Sequence, residues 1–416
     1  MPAVPASDAL GNAQIDPELQ AASPVTSRGR YRTHALSIAD LREAARRNLP
    51  RSVFDFIDGG AEDELTLAEN RSAFERVRIV PRVLVDVSAP SLKVEIMNQT
   101  AGAPFVIAPM GSCVLAWPEA DLAIARAASA YDIPYTLSTM ATTSIERMAA
   151  AVQGRLWFQL YVLRDRALTD SLVERARAAD YETLVVTVDL PAGGNRERDL
   201  RNGLTIPLRL SLRHVLEGIT HPGWAARLLR GGKPEFENVR GLLGEGKVDL
   251  TIAAKVGQNL DAAYGWQDLE RLRQKWPRQL IVKGVEHPAD AARLVAMGVD
   301  GIWISNHGGR QLDGAIASMD ALPRVAAAVK GKVPLLIDSG VRRGVDALKA
   351  IACGAQAVAI GRAALFGASA DGERGVRRAL EILTGELALA MKLSGVATVQ
   401  AVDQSILDLE TIRRGD

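Results

Sequence analysis

The chain has 416 residues, of which 48% are hydrophobic and 24% charged, and its formal net charge is +1. That balance describes a globular protein with a large core, in one big domain or two ordinary ones, and argues against a nucleic-acid or other polyanion binder. The two cysteines, Cys113 and Cys353, stand in apolar surroundings without CxxC spacing, which excludes a disulfide scaffold and suits a reducing compartment.

Residues 1–30 are rich in Ala, Pro and Ser and carry Asp8, Asp16 and Glu18. No basic segment leads into an apolar run, so they read as a disordered arm rather than a signal peptide, with 31–416 as the folded domain. Ser37 is a suitable N-cap for a helix ending before Pro50, and a second helix runs from Ser52 through Phe54, Phe56 and Ile57 to Gly59-Gly60. The segment Ala61 to Asn70 continues from it, and a connecting layer with short extended pieces follows to about residue 103. The uncharged stretch Ile96 to Pro118 is broken by Asn98, Gln99, Pro104 and Pro109, and so reads as loop and strand rather than a membrane span.

A rhythm then begins, in which short apolar runs alternate with helical patterns. Candidate strands are Phe105–Ala108, Tyr135–Leu137, Leu156–Leu160, Leu184–Val188, Leu280–Val282, Gly301–Ile304, Leu335–Ile337 and Ala357–Ile360. Helical patterns between them include Glu119–Tyr131, Arg166–Ala179, Ala289–Met297 and Val345–Cys353. Eight strands in this alternation predict an α/β chain folded as a closed (β/α)8 (TIM) barrel, preceded by a helical segment. One excursion interrupts it after the fourth strand, at 190–279, roughly ninety residues where a few are usual. Its middle, Leu208 to Arg230, mixes Leu and Arg with His214, His221 and Trp224. Two readings stand: a lid over the active site with its charges in water, which is the commoner fate of such helices, or a basic amphipathic surface lying on anionic lipid.

The ends of the strands carry the chemistry. Pro109-Met110-Gly111, Ser138-Thr139, Gln159 with Tyr161, and Thr187 with Asp189 follow the first four. Lys283, Ser305 with His307, Asp338 with Gly340, and Gly361-Arg362 follow the rest. Buried polar groups cost free energy without partners, so this clustering predicts a large polar ligand at that end. The run Gly301-Ile302-Trp303-Ile304-Ser305-Asn306-His307-Gly308-Gly309-Arg310 stops a strand on a base and a carboxylate clamp; by itself it also fits a surface turn. The loops with Gly340, Arg342, Gly361 and Arg362 each open a helix, the usual place for a phosphate, while Asp338 suits the hydroxyls of a linker. Flavin mononucleotide (FMN) fits that description. Lys283 is either a rim lysine or a fixed cation stabilising negative charge on a reduced flavin.

The segments Ser305–Asp313, Gly60–Asp63, Phe158–Tyr161, Thr187–Asp189 and Asp338–Gly344 resemble the FMN-dependent L-2-hydroxy acid dehydrogenases and oxidases from about Ser37 to the end. The excursion around Thr220-His221-Pro222-Gly223-Trp224 is similar to that of quinone-linked bacterial L-lactate dehydrogenases. The resemblance implies His307 as base, Asp189 as its carboxylate partner, Arg310 as clamp for the substrate carboxylate and Tyr161 as orienter of the substrate hydroxyl. It implies Lys283 at the flavin N1–O2 edge, Gln159, Thr187, Ser138 and Ser305 around the ring, and Pro109, Met110 and Gly111 beside it. Asp338 would take the ribityl chain, and Gly340, Arg342, Gly361 and Arg362 the phosphate. Arg196 would lie near the substrate. Whether the substrate hydrogen leaves carbon as a proton or a hydride, His307 is required.

Three positions depart from the pattern. Phe56 stands where the family has a tyrosine reaching the substrate carboxylate, a loss of about 0.5–1.5 kcal/mol of binding. Met140 replaces a tryptophan of glycolate oxidase, and Gly193 is small where a bulkier side chain can line the pocket; both admit a longer or aromatic substrate. Gly111 is the dehydrogenase choice where oxidases tend to have alanine, which favours a quinone or other carrier over oxygen as acceptor. The rivals are a hydroxy acid oxidase, an FMN barrel of another class such as an isomerase, a barrel keeping cofactor as a relic, and a metal hydrolase. The last is disfavoured by five histidines without HxH or HExxH spacing. The expectation is a cytoplasmic homo-oligomer, tetramer or octamer, or one peripheral on the inner face of the cell membrane through 208–230.

Overall fold

The structure is a computed structural model that describes residues 35–203, 205–206, 211–230, 235–239 and 250–408. The expected arm 1–30 and residues 208–210 lie outside the described residues. Eight parallel strands close into a barrel, in sequential order around the ring. They are β1 Phe105–Ile107, β2 Tyr135–Ser138, β3 Leu156–Leu160, β4 Thr183–Thr187, β5 Gln279–Lys283, β6 Gly301–Ile304, β7 Leu335–Ile337 and β8 Ala357–Ile360. The strand expectations hold to within one residue at every end. The cause is a simple one: strands buried on both faces read as unbroken apolar runs, and every residue of β3 and β4 is buried. Trp157, Phe158 and Trp303 are fully buried in this sheet.

Register sets the site. Ser138 lies beside Gln159 on β2 and β3, and Lys283 on β5 lies level with Thr187 on β4 and Trp303 on β6. The polar residues that end the strands are therefore held at one height by backbone pairing. Because β4 pairs directly with β5, the excursion leaves and rejoins the barrel at one edge. The helix Trp266–Lys275, with Leu269 and Leu272 buried, fills the ordinary strand-to-strand place, so the inserted part of 190–279 is what precedes it.

The N-terminal helix Ile38–Asn48 starts at the expected cap, Ser37, in a reciprocal capping box with Asp40. It lies on the C-terminal run Arg362–Ser394, two helices meeting at a kink at Asp371 and Gly372, where Asn48 donates to the carbonyls of Ser369 and Ala370. The helix Arg51–Asp58 buries Val53, Phe54, Phe56 and Ile57. A further helix, Leu65–Arg76, replaces the start of the expected connecting layer. Its local cap, Glu64, is left-handed and makes no side-chain cap bond; Asp313 caps it instead, accepting from the backbone N–H groups of Leu65 and Thr66 at 3.2 and 2.8 Å. A cap contributed from so far along the chain leaves no local signal.

The glycines of the β6 loop serve packing. Gly309 has φ 71°, and a Cβ there would meet the backbone N and Cα of Leu67 at 2.7 and 2.8 Å, so it approaches this helix rather than a ligand. Gly309→Ala is expected to lose about 2 kcal/mol or more of stability in urea unfolding, from strain plus the backbone clash; an unchanged midpoint contradicts this packing.

Candidate active site

A cavity of about 1240 Å³, its open mouth included, sits at the C-terminal end of the barrel. On the β1 to β4 side its lining includes Pro109, Met110, Gly111, Ser138, Tyr161 and Thr187. Across from them stand Lys283, His307, Arg310, Asp338, Gly340 and Arg342, then Gly361 and Arg362. The helix Arg51–Asp58 contributes Phe56, β2's loop contributes Met140, and the excursion contributes Gly193 and Arg196. Three expected residues stand behind this lining: Asp189 behind His307, Ser305 between His307 and Lys283, and Gln159 beside Ser138.

His307 is the centre of the geometry. Its φ of 60° and the backbone N–H bond it donates to Ser305 Oγ turn the ring so that Nδ1 lies 3.0 Å from Asp189 Oδ1. Burial pushes the Asp189 carboxyl up, but the charges of His307 and Lys283 outweigh it and hold it below the usual carboxylate range. Burial lowers the His307 pKa from its ordinary value despite the opposing pull of Asp189. A neutral ring facing an ionised carboxylate carries its proton on Nδ1, which leaves Nε2 unprotonated and able to accept from the Tyr161 hydroxyl at 3.4 Å. Burial, then Asp189, raises the Tyr161 pKa, so the phenol stays protonated and can donate.

Four half-buried arginines surround the rest. Arg310 donates to the carbonyls of Phe56 and Gly59 at 2.9 and 2.8 Å, with its guanidinium over the Phe56 ring. Arg362 donates to the carbonyls of Ile57, Gly308 and Gly59, and Arg342 to that of Val341. Burial lowers all their pKa values, that of Arg196 to about 9 and that of Arg342 to about 10, with Arg310 and Arg71 as the next causes. Among the described residues neither Arg342 nor Arg362 has an ion pair with a carboxylate. Carbonyl dipoles orient these cations without neutralising them, so the cavity suits anions.

The residues fit FMN. Arg342 and Arg362 converge with Gly340 on the loops after β7 and β8, where a phosphate is held by N–H groups and arginine. Gly340 has φ 95°, and a Cβ there would meet the Asn70 carbonyl oxygen at 2.0 Å. The buried Gln159 Nε2 and Thr187 Oγ1 have no partner within the protein, which matches a ring with its own acceptors and donors. Lys283 is held by Ser305 Oγ at 2.7 Å and by Asp338 at 3.2 Å, and Asp338 also accepts from Trp303 Nε1. Sequence reasoning missed Asp199, a buried carboxyl near Arg196 and Arg310 whose pKa burial raises, although it follows Arg196 within one short run. It also missed Leu190 and Val256 of the excursion, which line the cavity without any polar signal.

The fold and site define a flavin-binding barrel oxidoreductase. A family model described as FMN-dependent dehydrogenase matches residues 45–409, and the chain belongs to that family. The (S)-mandelate dehydrogenase of Pseudomonas putida is 41% identical over 377 residues, covering 90% of this chain and 94% of that protein. A crystal structure described as monotopic membrane protein (S)-mandelate dehydrogenase superposes with TM-score 0.85 at 39% identity, covering 90% of this chain and 99% of that one. Mandelate oxidase with (S)-2-phenylpropionate gives TM-score 0.76 at 37% identity, covering 90% and 98%. This chain is an FMN-dependent 2-hydroxy acid dehydrogenase, oxidising a 2-hydroxy acid to the 2-oxo acid. Arg342→Met removes a charge-assisted contact worth about 1.5–3 kcal/mol, so flavin should be retained about 10- to 100-fold less tightly, measured by flavin fluorescence after dialysis.

Proposed function

We propose that His307 is the base of this oxidation and that the substrate is an L-2-hydroxy acid with an aromatic or long side chain. The observation that carries the first part is the 3.0 Å contact between His307 Nδ1 and Asp189, which leaves Nε2 as a free base beside Tyr161 and Arg310 in the cavity. Arg310 and Arg196 meet the substrate carboxylate, and the Tyr161 hydroxyl orients the substrate hydroxyl. His307 Nε2 takes a proton, and Asp189 stabilises the imidazolium so formed. FMN, when bound, accepts the electron pair. Lys283, fixed by Ser305 and Asp338, offsets the negative charge that arrives with it.

The side-chain reading rests on Phe56, Met140, Gly193, Leu190 and Val256, which put apolar surface around the cavity. The mandelate specificity of the relatives supports it. For the acceptor we favour a quinone or similar carrier over oxygen, on Gly111: a Cβ there would press on Met140 Cβ at 3.0 Å and its carbonyl oxygen at 3.1 Å. The helices Leu212–Thr220 and Pro222–Arg230 bury no residue and turn Leu212, Leu216, Ile219 and Leu229 outwards. With the exposed Arg230 at its end, this face suits peripheral attachment to an anionic membrane, and relatives described as monotopic or membrane-associated support that reading. No helix among the described residues is long and apolar enough to cross a membrane. The expected closure over the active site falls to other parts of the excursion, at Leu190, Gly193, Arg196 and Val256. A homo-oligomer built on a domain spanning 31–416 completes this reading.

Anaerobic mixing with L-mandelate should bleach the flavin faster than L-lactate does, and air should restore the colour slowly. Faster bleaching by lactate overturns the side-chain reading, and rapid recolouring with peroxide makes the enzyme an oxidase. His307→Asn should slow bleaching by about 10²–10⁴-fold. Since the base must be neutral and its pKa is lowered, the acid limb of kcat/KM should fall below the ordinary histidine value of 6.5. A limb above that value contradicts the assignment. For the membrane contact, Leu216→Ser with Ile219→Ser should abolish co-sedimentation with phosphatidylglycerol vesicles while bleaching persists.

A further inference from the structure

A second cavity, of about 910 Å³ with its mouth included, lies on the other side of the Asp189 segment. Thr187 and Leu190, which flank Asp189, line both cavities, so this short run is the wall between them. The second cavity is mostly apolar, with Val162, Leu260, Leu269, Val282 and Leu294 in its walls, and opens past the exposed Ala262, Gly265 and Asp290. Glu286 stands in it with Oε1 buried and unpartnered, and Asp189 Oδ2 is buried and unpartnered as well. Gly284 brings the two segments together: at φ 98°, a Cβ there would lie 2.6 Å from Asp189 Cβ. No other role described above uses Glu286.

The charges around it are these. Asp189 faces it from the loop after β4, Lys283 from β5 and Asp338 from the loop after β7. His287 and Asp290 follow it on its own segment and helix; Asp261 and Tyr264 come from the stretch before Trp266, with Arg166 paired to Asp261 and Arg293 over the Trp266 ring. Burial, then Asp189 and Asp338, pushes the Glu286 carboxyl up to about 8. Asp189 ionises first, and Glu286 keeps its proton at neutral pH.

We propose that Glu286 is a positioning residue for the oxidation: as a neutral acid it leaves Asp189 unopposed behind His307, and its ionisation weakens capture of the substrate carboxylate. The charge argument is direct. Proton and electron transfer rearrange charge within the site, whereas binding adds one negative charge to it. A second anion behind Asp189 therefore opposes binding more than chemistry. The proton it loses passes to bulk water through the second cavity.

The inference rests on the substrate and base reading above. The test is steady-state kinetics of the FMN-loaded full chain with L-mandelate across about pH 6 to 10. In the unaltered protein KM should rise about three- to tenfold through a midpoint near 8, with kcat changing less. Glu286→Gln, which keeps a neutral hydrogen-bonding group, should lose the step near 8 and keep only the later rise as Arg196 loses its charge near 9. The same rise in Glu286→Gln, or no rise in the unaltered protein, overturns the proposal. Infrared difference spectra of the same proteins supply a readout besides turnover: a protonated-carboxyl C=O band that disappears above the midpoint and is missing in Glu286→Gln. Absence of that band overturns the proposal even if L-mandelate proves not to be a substrate. Failure of flavin bleaching at neutral pH strikes only the substrate reading.

Discussion

His307, Gly308 and Gly309 occupy the left-handed region in succession, with φ of 60, 68 and 71°. For a histidine this costs about 1–2 kcal/mol, and the surrounding bonds have to offset it. Gly309 N donates to both oxygens of Asn306, Gly308 N donates to Ser339 Oγ, and His307 N donates to Ser305 Oγ. Asn306 is fixed in turn by a reciprocal pair of amide bonds with Asn70, at 2.9 and 2.7 Å. The turn so held does two things: it sets the imidazole against Asp189, and it returns the chain so that Arg310 reaches the carbonyls that end the helix Arg51–Asp58. Without it neither the imidazole nor the Arg310 guanidinium would face the cavity.

The same turn ties three regions into one site. Gln311 donates to the Ala192 carbonyl and accepts from Gly194 N, fixing the start of the excursion; Asp313 caps the helix Leu65–Arg76. Ala61 N donates to the Gly309 carbonyl, which explains the Gly-Ala-Glu-Asp segment as a packing element. Around this frame the half-buried arginines keep their charge in a place that lowers their affinity for protons. A protein retains such cations where an anion comes to meet them. In the proposed function these anions are the phosphate of FMN at one end of the cavity and the carboxylate of the substrate at the other.

The excursion divides into parts with different physical roles. Leu190, Gly193, Arg196 and Val256 close over the cavity, and close backbone contact between Gly193 and Gly257 keeps that roof thin. The helices between them are tied to the rest by contacts such as Trp224 donating to the Leu115 carbonyl, Arg227 lying over the Trp117 ring, and Glu217 accepting from the Ser52 hydroxyl. Their remaining apolar residues face outwards, an arrangement stable only where another surface covers it.

Much of the architecture was legible locally. Strands buried on both faces announce themselves as apolar runs, as Leu156–Leu160 and Gly301–Ile304 do, and the residues that end them necessarily share one rim. That is why His307, Asp189, Tyr161, Arg310 and Lys283 could be picked out before any coordinates. Tertiary structure alone decided the rest. The helix Leu65–Arg76 takes its cap from Asp313; Ser305 and Gln159 stand behind the lining because neighbouring strands claim their hydrogen bonds; Glu286 comes near Asp189 only because Gly284 lets two loops touch. The physical reason is common to all three. Apolar periodicity is written in neighbouring residues, whereas a hydrogen bond or a charge acts across whatever distance in sequence the fold has closed.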